Sequence, residues 1–244
     1  MNFMSDFRES LSTFRTLHNA SPHAEVPESI KYETDLAQLL GFKDNEDFIK
    51  WIEGKRVLDM GSGLGGLAVS VADLGINAHV VSLDINMGSS EFKEHQKGHI
   101  AGYYQSELED NPGLKTKVLD LQKEHNRLAV KGAWPELPFG NETFDRVISA
   151  NSFPTRDVST TDQVELLIER LSQVLKEEGE IRLSPVFPNA NRKYRLLDES
   201  GGISNFLSEQ LEKNSLKAEL FPLKEGVQGL KDKAYCLIIK KFSK

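Results

Sequence analysis

Apolar residues recur along the chain with two different spacings, which divide it into a helical beginning and a longer part in which strands and helices alternate. In the first part, apolar positions lie three or four residues apart, which is the period of one face of an α-helix. This spacing predicts helices over residues 3–17, 28–40 and 44–52, the last two followed within two residues by a glycine. The chain is therefore expected to begin with helices, before its first strand.

From residue 56 onward, short apolar runs alternate with helical patterns. Apolar runs of this kind, bounded by turn residues, are typical of strands buried in a parallel sheet. Strands are predicted at residues 56–60, 78–84, 128–130, 144–149, 180–186, 216–221 and 235–242. Helices are predicted at residues 67–74, across most of 89–125, at 164–175 and at 203–211.

This order of elements predicts an α/β fold, with a doubly wound, mostly parallel seven-stranded sheet that has helices on both faces. The last two strands have no helix between them, so we expect a C-terminal antiparallel hairpin. No linker rich in Ser, Gly or Pro interrupts the apolar segments. We therefore expect an N-terminal helical cap, residues 1–54, packed on one larger domain, residues 55–244.

Charge and composition narrow the classes of partner. The 244 residues carry a net charge of −7, whereas binding of a polyanion usually needs a basic face, so nucleic acid is not expected as a partner. A membrane partner is not expected either, because no apolar run is long enough to cross a bilayer. Cys236 is the only cysteine, so there can be no disulfide framework and a reducing, cytoplasmic location is expected.

A glycine-rich turn, GSGLGG at residues 61–66, follows the first predicted strand. Glycines allow positive φ and a close approach of backbone to a ligand, and the start of the next helix offers free N–H groups. Gly61, Gly63 and Gly66 match the dinucleotide-binding fingerprint. Gly61, Gly63 and Gly65 match the shorter loop used for S-adenosylmethionine (SAM). The glycines alone leave both ligands open.

Two carboxylates near this turn help to choose between the ligands. Asp59 lies two residues before Gly61, where it would repel the pyrophosphate of a dinucleotide but favour the ammonium and sulfonium groups of SAM. No Lys or Arg occurs in residues 57–92 to offset a phosphate. Asp84 ends the second predicted strand and can accept hydrogen bonds from ribose hydroxyls, which suits SAM and NAD equally. The charge at Asp59 therefore favours SAM.

Three segments, in order along the chain, resemble class I SAM-dependent methyltransferases. Residues 57–65, VLDMGSGLG, are similar to the first motif of the family, and residues 137–149 contain its LPF…FD.V.S pattern. Residues 171–184 resemble its following helix and fifth strand. The resemblance spans roughly residues 55–187. It implies a Rossmann-like fold, SAM as cofactor and S-adenosylhomocysteine as product.

In open sheets of this kind the ligand lies at the carboxyl ends of the strands, and we take the candidate cofactor-binding residues from there. They are Asp59, Gly61, Ser62, Gly63, Gly65, Asp84, Ile85, Ala133, Trp134 and Asn151. The family often has an acidic residue after its third strand that contacts the adenine amino group. Ala133 cannot accept that hydrogen bond, although Trp134 can stack on the base. After the fourth strand, residues 151–154 read NSFP, which differs from the motif of amino-group methyltransferases.

The expected function is SAM-dependent methyl transfer to a small-molecule acceptor. No catalytic residue is assigned, because transfer from a sulfonium mainly requires alignment of the reactants and exclusion of water. No metal is expected either, since His95 and His99 share a helical face with Glu91 in a pattern more typical of a solvated surface. The basic residues at 192–195 are candidates to hold an anionic group of the acceptor.

Two other functions remain open. The missing adenine carboxylate is consistent with a catalytically degenerate SAM-binding domain that regulates or scaffolds. The dinucleotide fingerprint is consistent with a nicotinamide-dependent oxidoreductase, against which the charge of Asp59 argues.

Overall fold

The computed structural model describes residues 36–62, 67–68, 71, 75–84, 129–132, 137–150, 152, 160–188, 196–198, 200–224 and 233–242. The predicted helix at 3–17, the helical stretch within 89–125 and the first part of the helix at 28–40 lie outside these residues. The fold is therefore described for the rest of the chain.

The described residues form one seven-stranded sheet. Its strands are β1 (Arg56–Met60), β2 (His79–Asp84), β3 (Ala129–Lys131), β4 (Phe144–Ala150), β5 (Leu175–Val186), β6 (Leu216–Pro222) and β7 (Tyr235–Lys241). Their order across the sheet is β3-β2-β1-β4-β5-β7-β6. Strands β1 to β5 pair in parallel, whereas β7 pairs antiparallel with both β5 and β6. The predicted mixed sheet with an antiparallel C-terminal part is confirmed.

Side-chain caps fix where the longer helices begin. The helices are α1 (Leu36–Leu39), α2 (Asn45–Ile52), α3 (Thr161–Val174) and α4 (Asn205–Lys213), and residues 67, 68 and 71 are also helical. Asp44 accepts a hydrogen bond from the N–H of Asp47 at 3.1 Å, and Thr160 and Gln163 form a reciprocal capping box. Such caps satisfy N–H groups that have no partner within the helix. None of the helices in the described residues combines the length and apolar character needed to span a bilayer.

Each face of the sheet has its own hydrophobic core, because successive side chains of a strand point to opposite faces. Val57 and Val80 lie on one face, in a cluster with residues of α1 and α2 such as Ala37 and Phe48. On the other face, Leu58 and its neighbours pack against α3 and α4. This larger cluster includes Leu58, Met60, Val81, Leu83, Val147, Leu167, Leu171, Leu207 and Leu237. Helices on both faces confirm the predicted α/β layering.

Arginine–aromatic contacts attach the segment before β1 to the sheet. The guanidinium of Arg182 lies 3.8 Å from the ring centroid of Phe42, and that of Arg146 lies 5.2 Å from the ring centroid of Trp51. The carbonyl of Leu40 accepts hydrogen bonds from Arg182 Nη1 at 2.7 Å and from Cys236 Sγ at 3.4 Å. Residues 36–54 thus share a core with the sheet, while the division of the chain at residue 54 stays a prediction.

Cys236 is fully buried in β7. Burial raises the pKa of its thiol to about 12. The side chain therefore acts as a small apolar residue of the core.

The junction of α3 and β5 differs from the sequence expectation, which ended the helix at Leu175 and began the strand at residue 180. In the structure α3 ends at Val174, and β5 begins at once because Leu175 pairs with Phe144 of β4. The irregularity lies inside the strand, where Glu178 has a φ of 59° and a Cβ at Gly179 would stand 2.5 Å from Cγ of Leu175. Pairing with β4 thus overrides the helical pattern. Helix α4 likewise begins two residues later than expected, because Ile203 bridges Leu197.

Two leucines of α3 provide a matched test of this packing. Leu171 is fully buried, whereas Leu166 is 42% exposed. We expect Leu171→Ala to lower the free energy of unfolding by about 2–5 kcal/mol, because it leaves a cavity in the core. Leu166→Ala is expected to change it by only about 0.5 kcal/mol. Urea denaturation of both variants measures the difference, and equal effects would contradict the proposed burial of this helix face.

Candidate cofactor site

The carboxyl ends of β1 and β2 bring the two predicted carboxylates to one edge of the sheet. Asp59 is paired in register with Ser82 of β2 and Ile148 of β4. Asp84 follows two residues after Ser82 and ends its strand. Because paired side chains and alternate residues share a face, Asp59, Ser82 and Asp84 lie on the face that α2 covers. The sequence thus predicted this pair of acidic side chains correctly as neighbours.

Asp59 is a buried carboxyl group, with only 8% of its surface exposed. Burial, and secondly the negative charge of Asp84, raise the pKa of Asp59 from 3.8 to about 7. Both causes disfavour the ionised form. A cationic group placed beside Asp59 would favour ionisation, so the site is suited to a positively charged ligand.

Unpaired hydroxyl groups accompany this carboxyl group. In the described residues, three buried side-chain polar atoms have no hydrogen-bond partner: Trp51 Nε1, Ser62 Oγ and Ser82 Oγ. Ser82 is the partner of Asp59 in the sheet, and Ser62 lies three residues beyond Asp59. Since buried polar groups are normally paired, these hydroxyls leave hydrogen-bonding capacity for a ligand. Carboxylates and hydroxyls together fit a ligand that carries both an ammonium group and ribose hydroxyls, as SAM does.

The start of the turn after β1 is held by β2 on one side and by Ser152, two residues beyond β4, on the other. The N–H groups of Gly61 and Ser62 donate to the carbonyl of Leu83 in β2, at 2.8 and 3.1 Å. On the other side, Ser152 Oγ donates to the carbonyl of Met60 at 2.8 Å. These bonds fix the backbone from Met60 to Ser62 between β2 and Ser152.

Gly61 is required by the protein itself. Its φ is 68°, which side chains with a Cβ rarely adopt. A Cβ at this position would stand 2.3 Å from Cβ of Ser152. The positive φ expected for this glycine from the sequence is confirmed, and the nearness of Ser152 adds a steric reason that the sequence did not reveal. The roles of Gly61 and Ser62 in holding the cofactor stay predictions.

Three serines of this region were given no role from the sequence, although Ser149 is the last residue of the FD.V.S pattern. Ser82 and Ser149 are fully buried in β2 and β4, and Ser149 Oγ lies 2.6 Å from Ser152 Oγ. A serine in an otherwise apolar, buried strand was the available signal for Ser82 and Ser149. Ser152 had no such signal, because its partner Met60 is 92 residues away along the chain.

The remaining candidate residues fall outside the described part of the chain. They are Gly63, Gly65, Ile85, Ala133, Trp134, Asn151, the basic residues 192–195, and His95 and His99 with Glu91. Within the described residues, no group of three or more His, Cys, Asp or Glu side chains is arranged to hold a metal ion.

Comparison with known proteins identifies the family. The model of a methyltransferase domain family matches residues 58–183, which is more than half of the chain. The chain therefore belongs to the class I SAM-dependent methyltransferases, and SAM is its cofactor. No curated protein sequence matches the chain.

Several solved structures of methyltransferases are similar to the chain. The 1,6-didemethyltoxoflavin-N1-methyltransferase of Burkholderia thailandensis, solved with 1,6-didemethyltoxoflavin and S-adenosylhomocysteine, is 15% identical, with a TM-score of 0.50 over 98% of this chain and 91% of that one. A SAM-dependent methyltransferase of Methanosarcina mazei is 14% identical, with a TM-score of 0.48 over 81% and 98%. One from Aquifex aeolicus is 15% identical, with a TM-score of 0.44 over 86% and 95%.

The burial of Asp59 predicts a particular pH dependence of stability. Because its pKa is raised in the folded protein, the unfolded chain loses this proton first, and stability falls as pH rises from about 4 to 7. Asp59→Asn removes this titration. We expect the variant to gain stability relative to the parent protein over that range, by up to about 4 kcal/mol. Urea denaturation at several pH values between 4 and 8 measures the gain.

Asp162→Asn is the matched control, because Asp162 is exposed in the first turn of α3. It should show no comparable gain in stability, because it removes an exposed carboxylate at a helix N-terminus, where negative charge is favourable. A stability difference for Asp59→Asn that does not change with pH would show that Asp59 keeps an ordinary pKa in the folded protein.

Proposed function

We propose that the protein catalyses transfer of the methyl group of SAM to a small-molecule acceptor. The observation that carries the proposal is the buried Asp59 beside Asp84 at the carboxyl ends of two adjacent parallel strands. A carboxyl group in this position is costly to the protein alone, since burial disfavours its ionised form. A cationic ligand removes part of that cost, which gives the arrangement a functional reason.

We assign the two carboxylates different roles. Asp84, at the end of β2 and less buried than Asp59, would accept hydrogen bonds from the ribose hydroxyls. Asp59, deeper in the sheet, would face the ammonium group, whose charge favours the ionised carboxylate. The unpaired hydroxyls of Ser62 and Ser82 would complete the polar lining. Gly63, Gly65, Ile85, Ala133, Trp134 and Asn151 remain proposed cofactor contacts from the sequence.

The proposed chemistry asks little of the protein beyond positioning. When bound, SAM supplies a methyl group attached to a sulfonium, which leaves as a neutral thioether. The task of this chain is then to hold the cofactor rigidly, to align the acceptor and to keep water out. The doubly anchored turn after β1 serves the first of these tasks. Accordingly, we assign no catalytic acid or base.

The net charge of the protein supports a small molecule as the methyl acceptor. A net charge of −7 works against attraction of a nucleic acid to the site. The enzyme from Burkholderia thailandensis was solved with a small heterocyclic molecule, 1,6-didemethyltoxoflavin, so the shared fold can accommodate an acceptor of that size. The basic residues 192–195, which follow β5 in sequence, are proposed to bind one anionic group on the acceptor.

We further propose that residues 1–54 form a cap over the domain of residues 55–244.

Cofactor binding tests the first part of the proposal. The parent protein should bind SAM and S-adenosylhomocysteine in isothermal titration calorimetry, and NADH far more weakly. Asp84→Ala should weaken SAM binding by about 10- to 100-fold, the effect of losing hydrogen bonds to a charged group. Asp162→Ala, which also removes an exposed carboxylate but lies on α3, should bind SAM as the parent protein does.

Two results would contradict these roles. Tighter binding of NADH than of SAM would favour the nicotinamide-dependent oxidoreductase. Unchanged SAM affinity in Asp84→Ala, with the parent protein binding SAM, would show that Asp84 does not hold the ribose.

The class of methyl acceptor is tested by measuring how much S-adenosylhomocysteine, the product of methyl transfer, is released with each candidate acceptor. We expect turnover with members of a small-molecule panel and none with RNA, DNA or a lysine-rich protein. Binding of the small acceptor should depend weakly on salt, because only one or two charges are paired, whereas a nucleic acid would show a steep dependence. SAM binding without turnover on any acceptor would instead support a catalytically degenerate SAM-binding domain.

A further inference from the structure

A chain of hydrogen bonds links the end of β4 to the end of β1. Ser152 Oγ donates to the carbonyl of Met60 at 2.8 Å. This uses the single proton of the Ser152 hydroxyl, so in the 2.6 Å contact between the two serines Ser149 must be the donor. The direction of the chain is therefore from Ser149 to Ser152 to Met60. Hydrogen bonds in such a chain polarise and strengthen one another.

Ser152 also limits the space around the first glycine of the turn. A Cβ at Gly61 would stand 2.3 Å from Cβ and 2.4 Å from Oγ of Ser152. On the opposite side, the carbonyl of Leu83 accepts the N–H groups of Gly61 and Ser62. The start of the turn is therefore held by hydrogen bonds to Leu83 of β2 on one side and from Ser152 on the other. Ser152 also leaves no room for a Cβ at Gly61.

We propose that Ser152 is a positioning residue, which fixes the cofactor-binding turn relative to the segment that follows β4. It acts through the Met60 carbonyl and the Gly61 backbone and does not itself touch the reacting atoms. Met60 is the residue between Asp59 and Gly61, so a displacement of its carbonyl moves both the carboxylate and the turn. The inference rests on the proposed function, since it assumes that this turn binds SAM.

The hydroxyl of Ser152 is tested by Ser152→Ala, with Ser149→Ala as the matched control. Both variants remove one hydroxyl of the same hydrogen-bond chain, but only Ser152→Ala removes the bond to Met60. SAM affinity, measured by calorimetry at 10 °C on variants that circular dichroism shows to be folded, should fall by about 3- to 10-fold in Ser152→Ala. In Ser149→Ala it should stay within about twofold of the parent protein. A purely structural role would lower the melting temperature of both variants and leave the SAM affinity of the folded protein unchanged.

A double-mutant cycle tests the contact between Ser152 and Gly61. Gly61→Ala should lower stability and SAM affinity, because the new Cβ collides with Ser152 and the positive φ is strained. In a Ser152→Gly background the collision is absent and only the strain remains. Gly61→Ala should therefore do less damage in that background, in unfolding experiments as well as in SAM binding.

The outcomes separate this inference from the proposed function. Equal SAM affinity in Ser152→Ala and the parent protein, or equal effects of Gly61→Ala in both backgrounds, would overturn the positioning role. Failure of the parent protein to bind SAM would overturn the proposed function, and with it the inferred purpose of the contact. Coupling between positions 61 and 152 in the unfolding measurements would still show that the contact itself exists.

Discussion

Parallel pairing of β1 with both β2 and β4 is the constraint on which the site depends. It brings the carboxyl ends of three strands to one edge of the sheet, so that Asp59, Asp84 and Ser152 lie close to the turn that begins at Gly61. A slip of one residue in the β1–β2 register would move Asp59 to the opposite face, since side chains alternate along a strand. The apolar pairs Val57–Val80 and Leu58–Val81, buried on the two faces, oppose such a slip. The core residues that stabilise the sheet therefore also determine the positions of Asp59 and Asp84.

Local patterns in the sequence were sufficient for the strands and for the acidic residues. Seven apolar runs in the sequence correspond to the seven strands of the structure. Asp59 and Asp84 each lie at or near the end of a predicted strand, which was enough to predict that they share one edge of the sheet. These features depend on residues close together in sequence. The beginning of β5 at Leu175 was missed because it depends on pairing with Phe144, which the local helical pattern does not reveal.

The serine contacts were missed for the same reason. The bond from Ser152 to Met60 joins residues 92 positions apart, and nothing near either residue predicts it. For Gly61, the positive φ expected from the sequence is confirmed, whereas the steric contact with Ser152 was not predicted. A motif can thus be recognised from sequence while the contact that requires it depends on the tertiary structure.

The raised pKa of Asp59 would couple protonation to cofactor binding if this carboxylate holds the cofactor as proposed. Without a cation nearby, Asp59 takes up a proton near neutral pH, because its pKa is about 7. If the ammonium of SAM pairs with Asp59, binding below that pH releases the proton, so the cofactor and the proton compete for one carboxylate.

Burial of the single cysteine has a practical consequence for spectroscopy. The thiolate is the reactive form of cysteine, and the Cys236 thiol is both enclosed in the core and held in its protonated state. A maleimide dye added to the folded protein should therefore not react with Cys236. A cysteine introduced at an exposed position such as Lys224 would become the sole labelling point. The natural sequence can thus carry one fluorophore or spin label without prior removal of any cysteine.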